Sequence, residues 1–184
     1  MEQMQTRNVC LSSRNVRKMY LDAFPPAERM PFPMMVAMSK RWNTDFLEFS
    51  DWDTPCGFAY LAHNRQLVFI MFLAVDQALR SKGYGSAILH EIRRRYPNKK
   101  IIVSIEPCDA MAPDHALRVR RKTFYCRNGY RETAYRMRLS GVEQEILIRN
   151  GSFDKKEFHL FFALYSNGTV WPKIWRQEIC GLPR

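Results

Sequence analysis

The sequence predicts an α/β fold in which strands and amphipathic helices follow one another along the chain. Three observations support this prediction. Residues 67–75 form a continuous apolar run rich in β-branched and aromatic side chains, which is typical of a strand buried on both faces. Residues 84–96 place apolar side chains at three-to-four spacing, as an amphipathic helix does, and Pro97 ends that helix. Residues 100–105 return to a β-rich run, so a second strand follows.

The segment before residue 67 is predicted to contain two helices and three strands. A serine N-cap favours the first helix, Pro25 and Pro26 end it, and the proline-rich residues 24–33 predict irregular structure. The predicted elements are a weak strand within residues 1–9, a helix from Ser12 or Ser13 to Ala23, a Met-rich helix at 34–40, and strands at 45–49 and 56–63.

The segment after residue 105 is predicted to form a helix, a hairpin and a final helix. The first helix covers residues 114–128, and Gly129 closes it as a C′ residue. The final helix has capping-box spacing between Asp154 and Glu157. The hairpin joins strands at 130–139 and 142–149 through Ser140-Gly141. No linker or repeat interrupts the chain, so we predict one domain over residues 1–184, with 151–184 as a helical C-terminal extension packed on it.

Composition excludes several classes of protein. The 184 residues are 46% hydrophobic, which predicts a globular chain with a substantial core. The five cysteines are odd in number and form no Cys-x-x-Cys pair, so we expect reduced thiols, no metal site and a cytoplasmic location. No apolar run reaches the length of a membrane span, so no membrane segment is predicted.

The formal net charge of +11 has three interpretations. It can mark a nucleic-acid-binding surface, although the sequence contains no recognised nucleic-acid-binding motif. It can be an ordinary solvated surface. It can also surround the binding site of a phosphorylated ligand, since Arg80 and Lys82 lie in the turn that follows the central strand.

That turn predicts an anion site. It joins a buried strand to the start of a helix, where backbone N–H groups and the helix dipole favour negative charge. The third glycine of a dinucleotide fingerprint is missing, since Ile88 stands at its position. A P-loop is excluded because Lys82 precedes Gly83 instead of following it. We therefore predict that the turn binds a phosphorylated cofactor of another kind.

Two motifs resemble those of the GNAT N-acetyltransferase superfamily. The first is Arg80-x-x-Gly83-x-Gly85, which is similar to the acetyl-coenzyme A signature of that family. The second is Tyr125, with Gly129 and Tyr130 after it, in the right order along the chain. The resemblance covers roughly residues 46–148. It implies a GNAT-like acyl-CoA N-acyltransferase fold, in which helices flank a central, split, mixed sheet.

The resemblance also implies an activity and a coenzyme site. The activity is N-acetylation, in which a primary amine attacks acetyl-CoA directly within a ternary complex. The pantetheine arm is expected along the backbone of Leu73, Ala74 and Val75. The residues expected at the pyrophosphate are Arg80, Ser81, Lys82, Gly83, Tyr84, Gly85 and Ser86. Arg118 stands where the superfamily often has Asn, which is a departure from the pattern.

Three further residues are assigned roles in the reaction. Tyr125, which matches the motif tyrosine, is expected to be the general acid toward the coenzyme thiolate. Glu106 ends the strand that the resemblance places beside the central one, so it is the candidate general base, directly or through water. Glu28, in the loop after the first helix, is the candidate ligand of the acceptor ammonium.

Two other functions stay open at this point. One is an acyl-CoA-binding domain of the same fold with little turnover or with a longer acyl donor. The other is a basic nucleic-acid-binding protein, which is the less favoured of the two. We expect acetyl-CoA and an amine acceptor as partners, no membrane partner, and a monomer or homodimer.

Overall fold

The computed structural model describes residues 4–139 and 141–177. The chain forms two compact units, the first ending at Asn98 and the second beginning at Lys99. Within the described residues each unit has four strands, with three α-helices in the first unit and two in the second.

The first unit is built on antiparallel strands in the order β1-β2-β3-β4. Its elements are β1 (Gln5–Asn8), α1 (Arg14–Ala23), α2 (Phe32–Met38), β2 (Thr44–Asp51), β3 (Thr54–His63), β4 (Leu67–Val75) and α3 (Tyr84–Arg95). The predicted strand at 67–75 coincides with β4. The strands β2 and β3 are longer than predicted, because their pairing continues to Asp51 and Thr54, which lie opposite each other across a two-residue turn.

An aromatic cluster fills one face of this sheet under α1 and α2. Tyr20 of α1 lies at its centre and is 1% exposed. Its hydroxyl donates to the Met30 carbonyl at 3.1 Å and accepts from the Met30 N–H at 2.7 Å, which fixes the proline-rich loop against the core. The other aromatic members of the cluster are Phe24, Phe32, Phe46, Phe58, Tyr60 and Phe72.

The opposite face of the sheet packs against α3, which buries Ile88, Leu89 and Ile92. Gly57 of β3 makes this packing possible. A Cβ atom at position 57 would lie 2.4 Å from the Ala74 carbonyl oxygen and 2.7 Å from Cδ1 of Ile88. The absence of a side chain at this position therefore sets how closely α3 approaches β3.

Gly57→Ala is expected to lower the free energy of unfolding by about 1–3 kcal/mol, because one methyl group overfills the contact between β3 and α3. Urea denaturation of the two proteins measures the difference. The control is Ala78→Gly, which exchanges the same two residue types at an exposed position of the first unit. An unchanged midpoint in Gly57→Ala would show that α3 moves away from β3 without cost.

The second unit is also antiparallel, in the order β5-β7-β6-β8. Its elements are β5 (Lys100–Ile105), α4 (His115–Arg127), β6 (Arg131–Leu139), β7 (Val142–Arg149), α5 (Lys155–Tyr165) and β8 (Lys173–Arg176). The predicted strand at 100–105 coincides with β5. Gly141 has a φ of +84°, as the predicted hairpin requires, whereas Ser140 lies outside the described residues.

The C-terminal extension is not helical throughout. Its helix α5 begins as predicted, since the Asp154 carboxylate accepts from the Glu157 N–H at 2.8 Å and the Phe153 and Phe158 rings lie 5.3 Å apart. Residues 173–176, however, form β8, which pairs with β6 and buries Ile174. The helical description of residues 151–184 is therefore wrong for this strand. Residues 178–184 lie outside the described part of the chain.

The described residues contain neither a membrane-spanning helix nor a cluster of metal-ligating side chains. In residues 4–139 and 141–177 no helix is both long enough and apolar enough to cross a membrane. The same residues contain no group of three His, Cys, Asp or Glu side chains placed to hold a metal ion. Four described cysteines carry free thiols: Cys10, Cys56, Cys108 and Cys126.

Candidate active site

The strand β4 presents the three residues expected to run along the pantetheine arm. Leu73, Ala74 and Val75 pair with β3 through one edge of their backbone. Ala74 is buried in the aromatic cluster, whereas Leu73 and Val75 are half-buried. A register shift leaves Met71 as an extra residue in β4, which is the two-against-one pattern of a β-bulge.

A compact turn connects β4 to α3. The Asp76 N–H donates to the Cys56 carbonyl at 2.8 Å, which extends the β3–β4 pairing into the turn. The Asp76 carboxylate then caps a short 3₁₀-helix by accepting from the Ala78 N–H at 2.9 Å. Ser81 and Gly83 follow with φ values of +65° and +90°, so the backbone bends twice through the left-handed region before α3 begins.

The N-terminus of α3 presents N–H donors that the helix itself does not satisfy. The first α-helical hydrogen bond runs from the Ala87 N–H to the Gly83 carbonyl at 3.1 Å, so the N–H groups of Tyr84, Gly85 and Ser86 have no partner in the helix. The N-cap Gly83 has no side chain to accept from them, and the first turn contains no acidic residue. This helix start can therefore bind an anion through its backbone.

Two cations stand beside these donors. Arg80 and Lys82 are both exposed, and no carboxylate of the described residues forms an ion pair with either of them. Their charges are available to a ligand at the start of α3. The residues predicted to bind the pyrophosphate therefore lie together in one turn, and that turn has the backbone donors and positive charges of an anion site.

A hydrogen bond to the end of β2 holds the start of α3 in position. The Tyr84 hydroxyl donates to the Asp51 carboxylate at 2.8 Å, which connects the first residue of α3 to the end of β2. This hydrogen bond raises the pKa of Tyr84 because it favours the protonated hydroxyl. No local pattern in the sequence indicates this pair, because its members are 33 residues apart in the chain.

Tyr125, the candidate general acid, lies near the end of α4 and is 6% exposed. Its ring contacts Phe124 and Tyr130, with centroid separations of 5.1 Å and 5.3 Å. Burial raises the pKa of Tyr125 to about 12, although the positive charge of Arg121 acts in the opposite direction. Tyr125 therefore keeps its proton throughout the neutral pH range.

The other motif residues close α4. Gly129 has a φ of +85°, and the Tyr130 N–H donates to the Tyr125 carbonyl at 3.1 Å, as at a helix C-terminus. A Cβ atom at Gly129 would also lie 1.9 Å from Nη1 of Arg149, which donates to the Asn128 carbonyl at 2.6 Å. The glycine of this motif is thus required by the backbone and by the position of Arg149.

Glu106, the candidate base, is engaged by another side chain. It follows β5, and its Oε2 accepts from Nη1 of Arg121. The carboxylate is 26% exposed. Because Arg121 also acts electrostatically on Tyr125, one cation connects the two candidate catalytic residues within the second unit. Sequence reasoning did not single out this role of Arg121.

Glu28, the candidate acceptor ligand, ends a 3₁₀-helix at Pro26–Glu28 and is half-buried. The following residue holds this loop in place. The Arg29 guanidinium donates to the carbonyls of Phe24 at 2.5 Å and Leu21 at 2.6 Å. The loop that carries Glu28 therefore has a defined conformation.

The basic run at residues 118–122 is largely neutralised by carboxylates. Arg118 pairs with Asp114 at 2.7 Å. Lys122 lies between Glu132 at 2.8 Å and Glu145 at 2.9 Å. Together with the Arg121–Glu106 pair, these contacts leave less uncompensated charge on α4 than the sequence suggests.

Titration of Tyr125 is expected to destabilise the protein at alkaline pH. Its folded-state pKa of about 12 lies above the unfolded value near 10, so the stability it contributes is complete below pH 10 and is lost as the pH rises toward 12. The expected loss near pH 12 is about 2 kcal/mol. Urea denaturation of wild type and Tyr125→Phe between pH 9 and 12 measures it, and parallel curves for the two proteins would contradict the assignment.

Known proteins that are similar to this chain identify its family and its fold. The sequence profile of the acetyltransferase (GNAT) family matches residues 14–116, which is more than half of the chain. No curated relative matches the sequence significantly. A solved GNAT-family structure from Bacteroides thetaiotaomicron has a TM-score of 0.70 at 18% identity, and the match covers 88% of this chain and 96% of that one.

Two further solved structures share the fold. The ribosomal-protein-S18-alanine N-acetyltransferase from Escherichia coli has a TM-score of 0.59 at 14% identity, with 83% of this chain and 97% of that one covered. A GNAT acetyltransferase from Elizabethkingia anophelis, solved with acetyl-CoA bound, has a TM-score of 0.58 at 11% identity, with 82% and 100% covered. The predicted GNAT-like α/β fold is confirmed, and the chain belongs to the GNAT family of acetyltransferases.

Proposed function

We propose that this protein is an N-acetyltransferase that moves the acetyl group of acetyl-CoA to a primary amine by direct attack in a ternary complex. The observation that carries the proposal is the uncapped start of α3 beside Arg80 and Lys82, neither of which forms an ion pair with a carboxylate in the described part of the chain, in a protein of the GNAT family. Acetyl-CoA and coenzyme A are present in solved structures that share the fold.

The turn before α3 and the end of β4 supply the proposed contacts with the coenzyme. The N–H groups of residues 84–86 donate to the pyrophosphate oxygens, and the side chains of Arg80 and Lys82 neutralise their charge. Gly83 and Gly85 keep the backbone free of side chains where the phosphates approach. The backbone of Leu73, Ala74 and Val75 runs along the pantetheine arm.

The reaction requires two proton transfers. The acceptor arrives mostly as an ammonium ion and must lose a proton before its nitrogen can form a bond to the thioester carbon. Glu106 takes that proton, directly or through water. As the carbon–sulfur bond breaks, the Tyr125 hydroxyl, which is protonated at neutral pH, gives its proton to the thiolate.

The acceptor is a primary amine that enters as a cation. Glu28 supplies a carboxylate for the ammonium, on a loop held by Tyr20 and Arg29. We further propose that the reaction takes place in the cytoplasm, since the odd number of cysteines without Cys-x-x-Cys spacing is typical of reduced proteins.

One observation favours a second candidate function. The Glu106 carboxylate already accepts from the Arg121 guanidinium, which favours a domain that binds acyl-CoA with little turnover. The nucleic-acid alternative is weakened by the ion pairs of Arg118, Arg121 and Lys122.

Isothermal titration with acetyl-CoA and with coenzyme A, each at two salt concentrations, tests the coenzyme site. Binding in the micromolar range that weakens with salt is expected. A panel of primary amines, with release of the coenzyme thiol as the readout, then separates an acetyltransferase from a binder. Binding without thiol release by any amine would favour the binder, and no binding at all would overturn both functions.

A further inference from the structure

A tryptophan lies at the tip of the hairpin between β2 and β3. The side chain of Trp52 is 69% exposed, although a large aromatic ring is more stable when buried. Its φ is +52°, which is a strained conformation for a bulky side chain. Since glycine or asparagine suits this position of a two-residue turn better, the turn itself does not account for a tryptophan.

This tip is attached to the predicted coenzyme turn. Asp51, which precedes Trp52, accepts the hydrogen bond from the Tyr84 hydroxyl at 2.8 Å, and Tyr84 is the first residue of α3. The base of the hairpin is joined to the same turn by the Cys56–Asp76 backbone hydrogen bond of 2.8 Å. Trp52 therefore lies one residue away from a side chain that contacts the helix start.

The surroundings of Trp52 select the kind of group that can contact it. The ring offers a flat apolar face. Its neighbours in sequence, Asp51 and Asp53, are acidic, so a phosphate group is repelled at this tip. The coenzyme has one large, flat and uncharged group, which is its adenine base. A ribose separates this base from the pyrophosphate, and the 3′-phosphate of that ribose must point away from Asp51 and Asp53 when the base contacts Trp52.

We infer that Trp52 stacks on the adenine of the coenzyme and so selects the complete coenzyme over donors that lack the nucleotide. The inference rests on the proposed coenzyme site at the start of α3. Any nucleobase has a flat face that can stack on an aromatic ring, and such stacking is strong enough to affect binding affinity. The strain at Trp52 is then offset only when the coenzyme is bound.

Trp52→Ala is expected to weaken binding of acetyl-CoA and of adenosine 3′,5′-bisphosphate by about 5- to 100-fold. Its affinity for S-acetyl-4′-phosphopantetheine, which lacks the nucleotide, should change less than about twofold on the same scale. Trp52→Phe keeps an aromatic face and should retain most of the affinity. Isothermal titration with the three ligands measures all of these values.

The matched control is Trp42→Ala. Trp42 is 76% exposed, belongs to the same unit, and precedes the start of β2, whereas Trp52 follows its end. Coenzyme affinity should be unchanged in this variant. Quenching of tryptophan fluorescence by coenzyme A should persist in Trp42→Phe and disappear in Trp52→Phe.

A stability measurement separates binding from folding. Trp52→Gly relieves the left-handed strain, so its Tm should rise by about 2–4 °C while its affinity for coenzyme A falls as in Trp52→Ala. An equal loss of affinity for acetyl-CoA and for the truncated donor, or no loss for either, would overturn the inference and leave the coenzyme site intact. Failure of the wild-type protein to bind any of the three ligands would instead overturn the proposed function.

Discussion

Tyr125→Phe is expected to lower kcat for acetyl transfer by about 100-fold or more, because the departing thiolate loses its proton donor. The affinity for acetyl-CoA should stay within about twofold of wild type, since the phenyl ring keeps the contacts with Phe124 and Tyr130. Thiol release under saturating amine measures kcat, and isothermal titration measures the affinity.

Tyr135→Phe is the control for this variant. Tyr135 lies in the same unit, in β6, and its ring contacts Phe153. It should retain wild-type activity. Equal activity of the Tyr125→Phe variant and wild type would show that water protonates the thiolate and would leave Tyr125 as a packing residue of α4.

Gly83→Val is expected to weaken acetyl-CoA binding by roughly 100-fold or more, which corresponds to about 2.7 kcal/mol. Gly83 has a φ of +90°, a conformation that a β-branched residue strongly disfavours. The turn would have to change its backbone, which moves the N–H groups at the start of α3 away from the pyrophosphate. The new side chain would also occupy the approach to these donors. Isothermal titration gives the change in affinity.

Gly168→Val supplies the matched control. Gly168 also has a positive φ, of +78°, and a Cβ atom there meets no atom within 4 Å. The two variants carry a similar backbone cost, so a comparable fall in Tm is expected in both. Only Gly83→Val should lose the coenzyme. Equal affinities in the two variants would show that the start of α3 is not the pyrophosphate site.

The sequence predicted best those elements whose stabilising contacts are visible in their own pattern. The strands β4 and β5 were located correctly at both ends, because a continuous apolar run is sufficient to mark a buried strand. The start of α5 was correct because Asp154 caps it locally. Helix α2 begins at Phe32 instead of Met34, since Pro33 fits the first turn of a helix.

Elements that depend on distant partners were missed. The strand β8 has four residues and no alternating pattern strong enough to identify it, and only its pairing with β6 defines it as a strand. The extended ends of β2 and β3 likewise depend on the pairing of Asp51 with Thr54. In both cases the hydrogen-bond ladder to a distant partner strand decides the structure, and the local sequence of the added residues does not.

The candidate site likewise combines features visible in the local sequence with contacts that only the folded chain creates. The glycines and cations of the turn could be recognised from their order, because a phosphate-binding turn is a local feature of the backbone. The pairing of Glu106 with Arg121, by contrast, depends on how the end of β5 meets α4. No sequence spacing predicts it, and it gives the Glu106 carboxylate a cationic partner.

The sequence by itself determined the family, the fold class and the turn that is the best candidate for the coenzyme site, because each of these depends on residues close together in the chain. The tertiary structure decided three things that sequence order does not contain. Gly57 allows α3 to approach β3, Tyr84 is joined to Asp51, and Arg121 connects Glu106 with Tyr125. Each is a contact between distant segments, and the free energy of such contacts depends on packing and electrostatics in the folded chain.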